Sequence, residues 1–437
     1  SLAETEFDIH GIAASHGWDL GGLEIRYQGS VGPDPGERQT VLHPAEFELP
    51  STVGGLLELV AKTRPKRLVI DSLSELRALA REPRWFRQEL MRLRIQLESV
   101  GCTALLLDTA VDQSGLKSLF GGVIRLERRT PDYGPDQRRL SIVKIRGHAY
   151  ETGYHDLRIR RGGLSVFPRL IAAQHRQGII PGTQSTGLPA LDAMLGGDGL
   201  DRGTAVLLLG PTGVGKSTLA LQMASAAASR GENVLAYVFD ERLSTVFQRA
   251  RQIGIDLERP VSSGRITLRQ VDPVELTPGE FADEVRRSAI EKGVQLVLID
   301  TLNAYLYAMP NDSLLTLHLH ELLAYLSQQG VTSIMVGTQH GFSGAGSSPN
   351  ELDVSYLADT VVLLRNMEIE GWLSKTLTVF KRRAGSHETS VRALQFGPDG
   401  ISIGRVVSQD GLYASSTGQV NESCSESPDP RADGDAP

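Results

Sequence analysis

Nine consecutive residues, Gly210-Pro211-Thr212-Gly213-Val214-Gly215-Lys216-Ser217-Thr218, carry the clearest chemistry in the sequence. The spacing Gly-x-x-x-x-Gly-Lys-Ser lets a backbone fold closely round an anion with its N–H groups turned inward. Lys216 can then reach the β- and γ-phosphates of a nucleotide, and Ser217 offers a hydroxyl to Mg2+. A glycine-rich turn that matches by chance is the competing reading. The flanks argue against it: Ala205-Val206-Leu207-Leu208-Leu209 is an all-apolar run expected as a buried strand, and residues 219–228 are dense in helix formers. Strand, loop and helix arrive in the order a triphosphate site requires, and the helix adds its positive N-terminal end.

Other residues fall where they could complete such a site. Asp300 ends the apolar run 296–299, a position from which a carboxylate can hold Mg2+ opposite Ser217; capping the next helix is the alternative. Asp240-Glu241 ends another apolar run, so that either carboxylate could orient and deprotonate an attacking water, or simply be a solvated strand end. Gln339 ends a third strand and could sense the γ-phosphate. Lys381 and Arg383 follow a strand; cations there could neutralise charge on a γ-phosphoryl group, although a basic strand end facing water is the plainer reading.

The elements that must position these residues repeat. The strand ending at Asp71 matches the strand ending at Asp300, 229 residues later, and Gly101 matches Gly330 at the same spacing. Lys144 and Lys381, Gly163 and Gly400, and Glu4 and Glu241 are each 237 residues apart. Conserved order and spacing predict a duplicated α/β domain: strands alternating with helices, mostly parallel sheets covered on both faces. The expected division is residues 1–173, a linker 174–182, a complete domain 183–404, and a disordered acidic tail 405–437. Aligned in this way, Ser1 falls opposite Val238, so the sequence holds no first-copy counterpart of residues 183–236, phosphate loop included. The first copy, as given, cannot bind a triphosphate in this manner; the expectation is a piece of a longer product, with a domain that survives as a scaffold as the alternative. Residues 185–197 predict a capped short helix, and hairpins are expected to close both copies, the second over 367–380.

Composition bounds the rest. The 437 residues are 22% charged with a net charge of −7, which is poor material for coating nucleic acid. Two cysteines, Cys102 and Cys424, make neither a disulfide framework nor a metal cluster and suit a reducing cytoplasm. No apolar run approaches the ~20 residues that span a bilayer.

The phosphate loop, Asp240-Glu241, the Asp300 strand end, the Lys381-x-Arg383 ending, Ser185-Thr186-Gly187-x-x-x-Leu191-Asp192 and the duplication together resemble the KaiC family, a branch of the RecA-like ATPases. The resemblance implies tandem RecA-like domains, ATP and Mg2+ as ligands, and a homo-oligomeric ring, typically hexameric. It also implies Glu241 or Asp240 as general base, with Lys381 and Arg383 reaching a neighbour's γ-phosphate. Where the clock member of the family phosphorylates an adjacent Ser-Thr pair, this sequence has Ser355-Tyr356, which argues against autokinase activity. The function expected is a KaiC-like ATPase coupling nucleotide state to signalling or assembly. The alternatives are a nucleotide-gated scaffold for a signalling partner, or a DNA-dependent recombination ATPase.

Overall fold

A computed structural model describes residues 4–26, 45–80, 82–109, 116–130, 135–175, 181–239, 241–272, 276–307, 315–338, 355–369 and 372–407. The expected acidic tail therefore lies almost wholly outside the described residues. The chain divides into two compact units, residues 1–170 with 274–284 and residues 171–273 with 285–437.

The first unit holds α1 (Glu6–His16), α2 (Ala45–Thr63), β1 (Arg67–Ile70), α3 (Leu73–Ala78), α4 (Pro83–Ser99), β2 (Thr103–Leu106), β3 (Gly122–Arg129), β4 (Gln137–Ile145), β5 (Tyr154–Arg160) and β6 (Gly163–Phe167). Helix α4 begins with Pro83, whose fixed φ suits a first turn. It buries Phe86, Leu90, Leu93 and Leu97, a stripe at helical spacing, against Leu49, Val53, Ile70 and Leu76.

The second unit holds β7 (Thr183–Gln184), α5 (Pro189–Met194), β8 (Leu200–Asp201), β9 (Ala205–Gly210), α6 (Lys216–Ser229), β10 (Asn233–Val238), α7 (Leu243–Gln252), α8 (Glu258–Ser262) and β11 (Ile266–Gln270). After these come α9 (Pro278–Glu291), whose residues up to 284 fall in the first unit, and then β12 (Val294–Asp300), α10 (Leu302–Tyr307), α11 (Leu315–Gln328), β13 (Thr332–Thr338), β14 (Thr360–Ile369), β15 (Trp372–Arg382), β16 (Arg392–Gly397) and β17 (Gly400–Val406). Nine strands form one sheet in the order β11-β10-β12-β13-β9-β14-β15-β16-β17. The pairs from β11 to β14 are parallel and the remaining three antiparallel. Strand β9 is central and has no polar side chain; Ala205, Val206, Leu207 and Leu208 are all buried, as a parallel strand covered on both faces requires.

Two expectations need correction. The hairpin over 367–380 does not end the second copy, because β16 and β17 extend the sheet; β5 and β6 do the same for the first. These strands carry alternating, half-exposed residues with several arginines, and lack the apolar runs that mark central strands. Helix α5 is not capped by a side chain: its N-cap is Leu188, while Ser185 and Thr186 donate their hydroxyls to Asp192 within the helix.

The duplication extends to register. Arg67 faces Thr103 on β1 and β2 as Leu296 faces Thr332 on β12 and β13, each 229 residues later. The β3–β4 pairs Ile124–Ile142 and Leu126–Leu140 correspond to Val362–Val379 and Leu364–Leu377. In the second unit β9 bridges β13 and β14. Among the described residues of the first unit no strand does so, and the strands there form separate two- and four-stranded sheets. Val69, Leu105, Ile124 and Leu126 are more than half exposed, whereas their counterparts Leu298, Ile334, Val362 and Leu364 are buried.

Leu208 lies between Val336 and Val362 with no exposed surface. Replacing it by alanine leaves a cavity in the middle of the sheet and should cost about 2–5 kcal/mol. Urea unfolding followed by circular dichroism should show an earlier transition for Leu208→Ala; an unchanged midpoint would contradict the central placement of β9.

Candidate active site

The parallel arrangement puts the carboxyl ends of β9, β10, β12 and β13 on one edge of the sheet, where open α/β sheets bind ligands. The loop after β9 turns there into the 14-residue helix α6, whose first residue is Lys216. Two glycines in the loop are required by close approach. A Cβ on Gly210 (φ +153°) would lie 2.2 Å from the Leu364 carbonyl oxygen, and one on Gly215 (φ +108°) 2.1 Å from the Phe396 ring.

Lys216 is buried and donates from Nζ to the carbonyl oxygens of Gly210 and Pro211, both at 2.8 Å, so the ammonium is held against the loop. Burial lowers its pKa, opposed by the negative charge of Asp300. Ser217 donates from Oγ to Asp300 Oδ1 at 3.0 Å, joining the start of α6 to the end of β12. Burial raises the Asp300 pKa from 3.8 to about 6; the Ser217 hydrogen bond, Arg249 and Lys216 pull it down, and the charge of Glu241 adds to the rise. Thr218 is buried in the first turn of α6.

The hydroxyl of Ser217 and the carboxylate of Asp300 form a hard oxygen pair facing the loop. That is the donor set expected for Mg2+, which commonly uses one or two protein oxygens together with substrate phosphates and water. Among the described residues no group of three or more His, Cys, Asp or Glu side chains could hold a metal.

Glu241, just past β10, accepts a hydrogen bond from Arg249 Nη1 at Oε1, 2.6 Å away. Asp240 and Gln339 lie outside the described residues. Thr338, which ends β13 immediately before Gln339, donates its N–H to Asn303 Oδ1 at 2.6 Å. Lys381 and Arg383 are elsewhere. Lys381 Nζ donates to the carbonyl oxygens of Ser355 and Ala358, and Arg383 donates to Asp359 Oδ1 and the Tyr356 carbonyl. Asp359 in turn accepts the N–H of Ala205, the first residue of β9. These cations therefore sit at the opposite end of β9 from the loop, about 16 Å away at ~3.3 Å per residue, and do not reach the loop of their own chain.

Sequence reasoning missed Arg249 and Asn303. Neither belongs to a motif, and each meets the site only through the turn of a helix. The eight-residue separation of Glu241 and Arg249 is two helical turns plus a bend, which only hindsight distinguishes from an ordinary surface pair.

Comparison with known proteins matches this sequence to a family. The family model described as "ATPase: KaiC" matches residues 1–171 and 184–407. The chain is 27% identical to the circadian clock protein KaiC2 of Synechocystis, over 97% of this chain and 75% of that protein. It is 26% identical to the circadian clock oscillator protein KaiC of Acaryochloris marina, over 92% of this chain and 78% of that protein. The corresponding protein of Synechococcus elongatus is 25% identical over the same shares.

Because folding raises the Asp300 pKa, the fold favours the protonated carboxyl. That contribution to stability is complete below about pH 4 and is lost as pH rises through about 6. Asp300→Asn, which keeps an acceptor for Ser217, should therefore melt higher than the wild-type chain at pH 7.5 without nucleotide or Mg2+. The difference should close as pH falls to 4; a gap that is constant with pH would show that burial of the carboxylate is not its source.

Proposed function

The chain belongs to the KaiC family of ATPases, and on that footing we propose that it binds ATP with Mg2+ at residues 210–218 and hydrolyses it there. The observation that carries this reading is the Ser217–Asp300 hydrogen bond at the mouth of a loop whose lysine is already held inward. Loop amides of Gly213, Val214 and Gly215, with the start of α6, would receive the β-phosphate oxygens. Lys216 would leave the Gly210 and Pro211 carbonyls for the β- and γ-phosphates. Ser217 and Asp300 would hold Mg2+, which neutralises charge on the phosphates when bound. Glu241, or Asp240 beside it, would take the proton of the attacking water, and Gln339 would face the γ-phosphate.

The ring expected from the family gives Lys381 and Arg383 a role that their placement denies them within one chain. Held at the far end of β9, they would act on the γ-phosphate of a neighbouring copy, so that turnover depends on assembly into a homo-oligomer, a hexamer by family resemblance. Nucleotide state would then be read out as a change in the ring, serving signalling or assembly in the cytoplasm.

Lys216→Ala should lose measurable phosphate release and nucleotide affinity together, by about 10²-fold or more in turnover. Glu241→Gln should keep wild-type affinity for a fluorescent ATP analogue while turnover falls by about 10²–10⁴-fold. Full turnover in the lysine variant would move the site elsewhere. Full turnover in the glutamine variant would remove Glu241 from the chemistry and leave Asp240 as the base.

A further inference from the structure

Arg249 stands in the last turn of α7, between residues that fix its backbone: Val246 and Ala250 are both buried in the core of the second unit. Its guanidinium is only partly used. Nη1 donates to Glu241 Oε1 at 2.6 Å, while Nε and Nη2 are buried with no hydrogen-bond partner among the described residues. The strongest arginine–carboxylate pairing uses the planar fork on both carboxylate oxygens. Here a single bond is made and two donors are left unsatisfied, an arrangement that costs stability. The cation also lies near enough to Asp300 to lower its pKa. What the arrangement secures is the orientation of one oxygen of Glu241.

We propose that Arg249 is a positioning residue for Glu241, holding Oε1 through Nη1 so that Oε2 remains the oxygen that accepts a proton. This rests on the reading of Glu241 as the general base of ATP hydrolysis. In that step the water oxygen bonds to the γ-phosphorus, the bond to the bridging oxygen breaks, and ADP leaves with its electron pair. The proton released by the water passes to Oε2. A glutamate side chain has several rotatable bonds, and an untethered carboxylate would spend most of its time misdirected; a displacement of about 1 Å costs on the order of 10²-fold in rate. Fixing it from a rigid helix removes that loss without touching the nucleotide.

The test uses the full chain with Mg2+ and ATP, comparing Arg249→Met, Arg249→Lys, Glu241→Gln and the double variant Arg249→Met/Glu241→Gln. Arg249→Met should lower kcat by about 10- to 100-fold with KM within about twofold of wild type. Its affinity for a fluorescent ATP analogue, measured without turnover, should be unchanged. Arg249→Lys should recover part of kcat, and Arg249→Met should add no further loss in the Glu241→Gln background. Should Arg249→Met fail to fold, Arg249→Gln, which keeps a donor without the charge, replaces it with the same expectations. A loss that multiplies with that of Glu241→Gln, a raised KM at unchanged kcat, or a kcat equal to or above wild type would each overturn the inference; the last would make the ion pair a restraint on the base. If the wild-type chain shows no hydrolysis that Lys216→Ala removes, the ATPase reading falls and this inference with it. If that hydrolysis is present and only the Arg249 outcomes fail, the inference alone falls.

Discussion

The second unit depends on β9 being paired on both sides. With β13 on one flank and β14 on the other, the middle of a short apolar strand is held in parallel ladders on both sides, and its end at Gly210 lies close against the Leu364 carbonyl. That fixed end gives the loop a defined place beside Asp300 on β12, two strands away, and Glu241 beyond β10. Residues far apart in sequence meet at one edge because the strands that carry them all run the same way. The first unit supplies the control. It repeats the flanking strands in matching order, with β1 and β2 in the same register, yet without a bridging strand among its described residues, and apolar side chains stand exposed where the second unit buries theirs.

Around that edge the charges are arranged at a cost. Lys216, Asp300, Glu241 and Arg249 bring two cations and two carboxylates together in a space where burial penalises ionised Asp300 and Lys216. Each makes hydrogen bonds that are sensible only in part: the lysine to carbonyls of its own loop, the aspartate to a serine hydroxyl, the arginine through one nitrogen of three. Such partial satisfaction suits a site prepared for a ligand that brings its own charges, as the proposed phosphates and divalent cation would. The same positive and negative groups would then exchange partners on binding with little movement of the backbone.

Much of this was legible in the sequence, for physical reasons. The phosphate loop could be read because a buried parallel strand must be apolar throughout and because close backbone approach at positions such as Gly210 and Gly215 admits only glycine. The duplication could be read because Asp71 and Asp300, and Lys144 and Lys381, keep their spacing. The antiparallel extension β16–β17 could not, since half-exposed strands bearing arginines have no distinctive pattern. Nor could the far placement of Lys381 and Arg383, which follows from β15 running antiparallel to β14 and so ending beside Ala205 instead of Gly210. The pairing of Ser185 and Thr186 with Asp192 imitates a helix cap in sequence while doing different work in space. Arg249 carried no signal at all, because its partner is set by the angle at which α7 leaves β10.

The central claim is that a single triphosphate site exists in these 437 residues, at the bend between β9 and α6. Isothermal titration of nucleotide-free protein with ATP in the presence of Mg2+ addresses it directly. One nucleotide bound per chain, abolished by substitution of the loop lysine, is the result expected. No uptake by folded protein, or uptake of two nucleotides per chain, would contradict it.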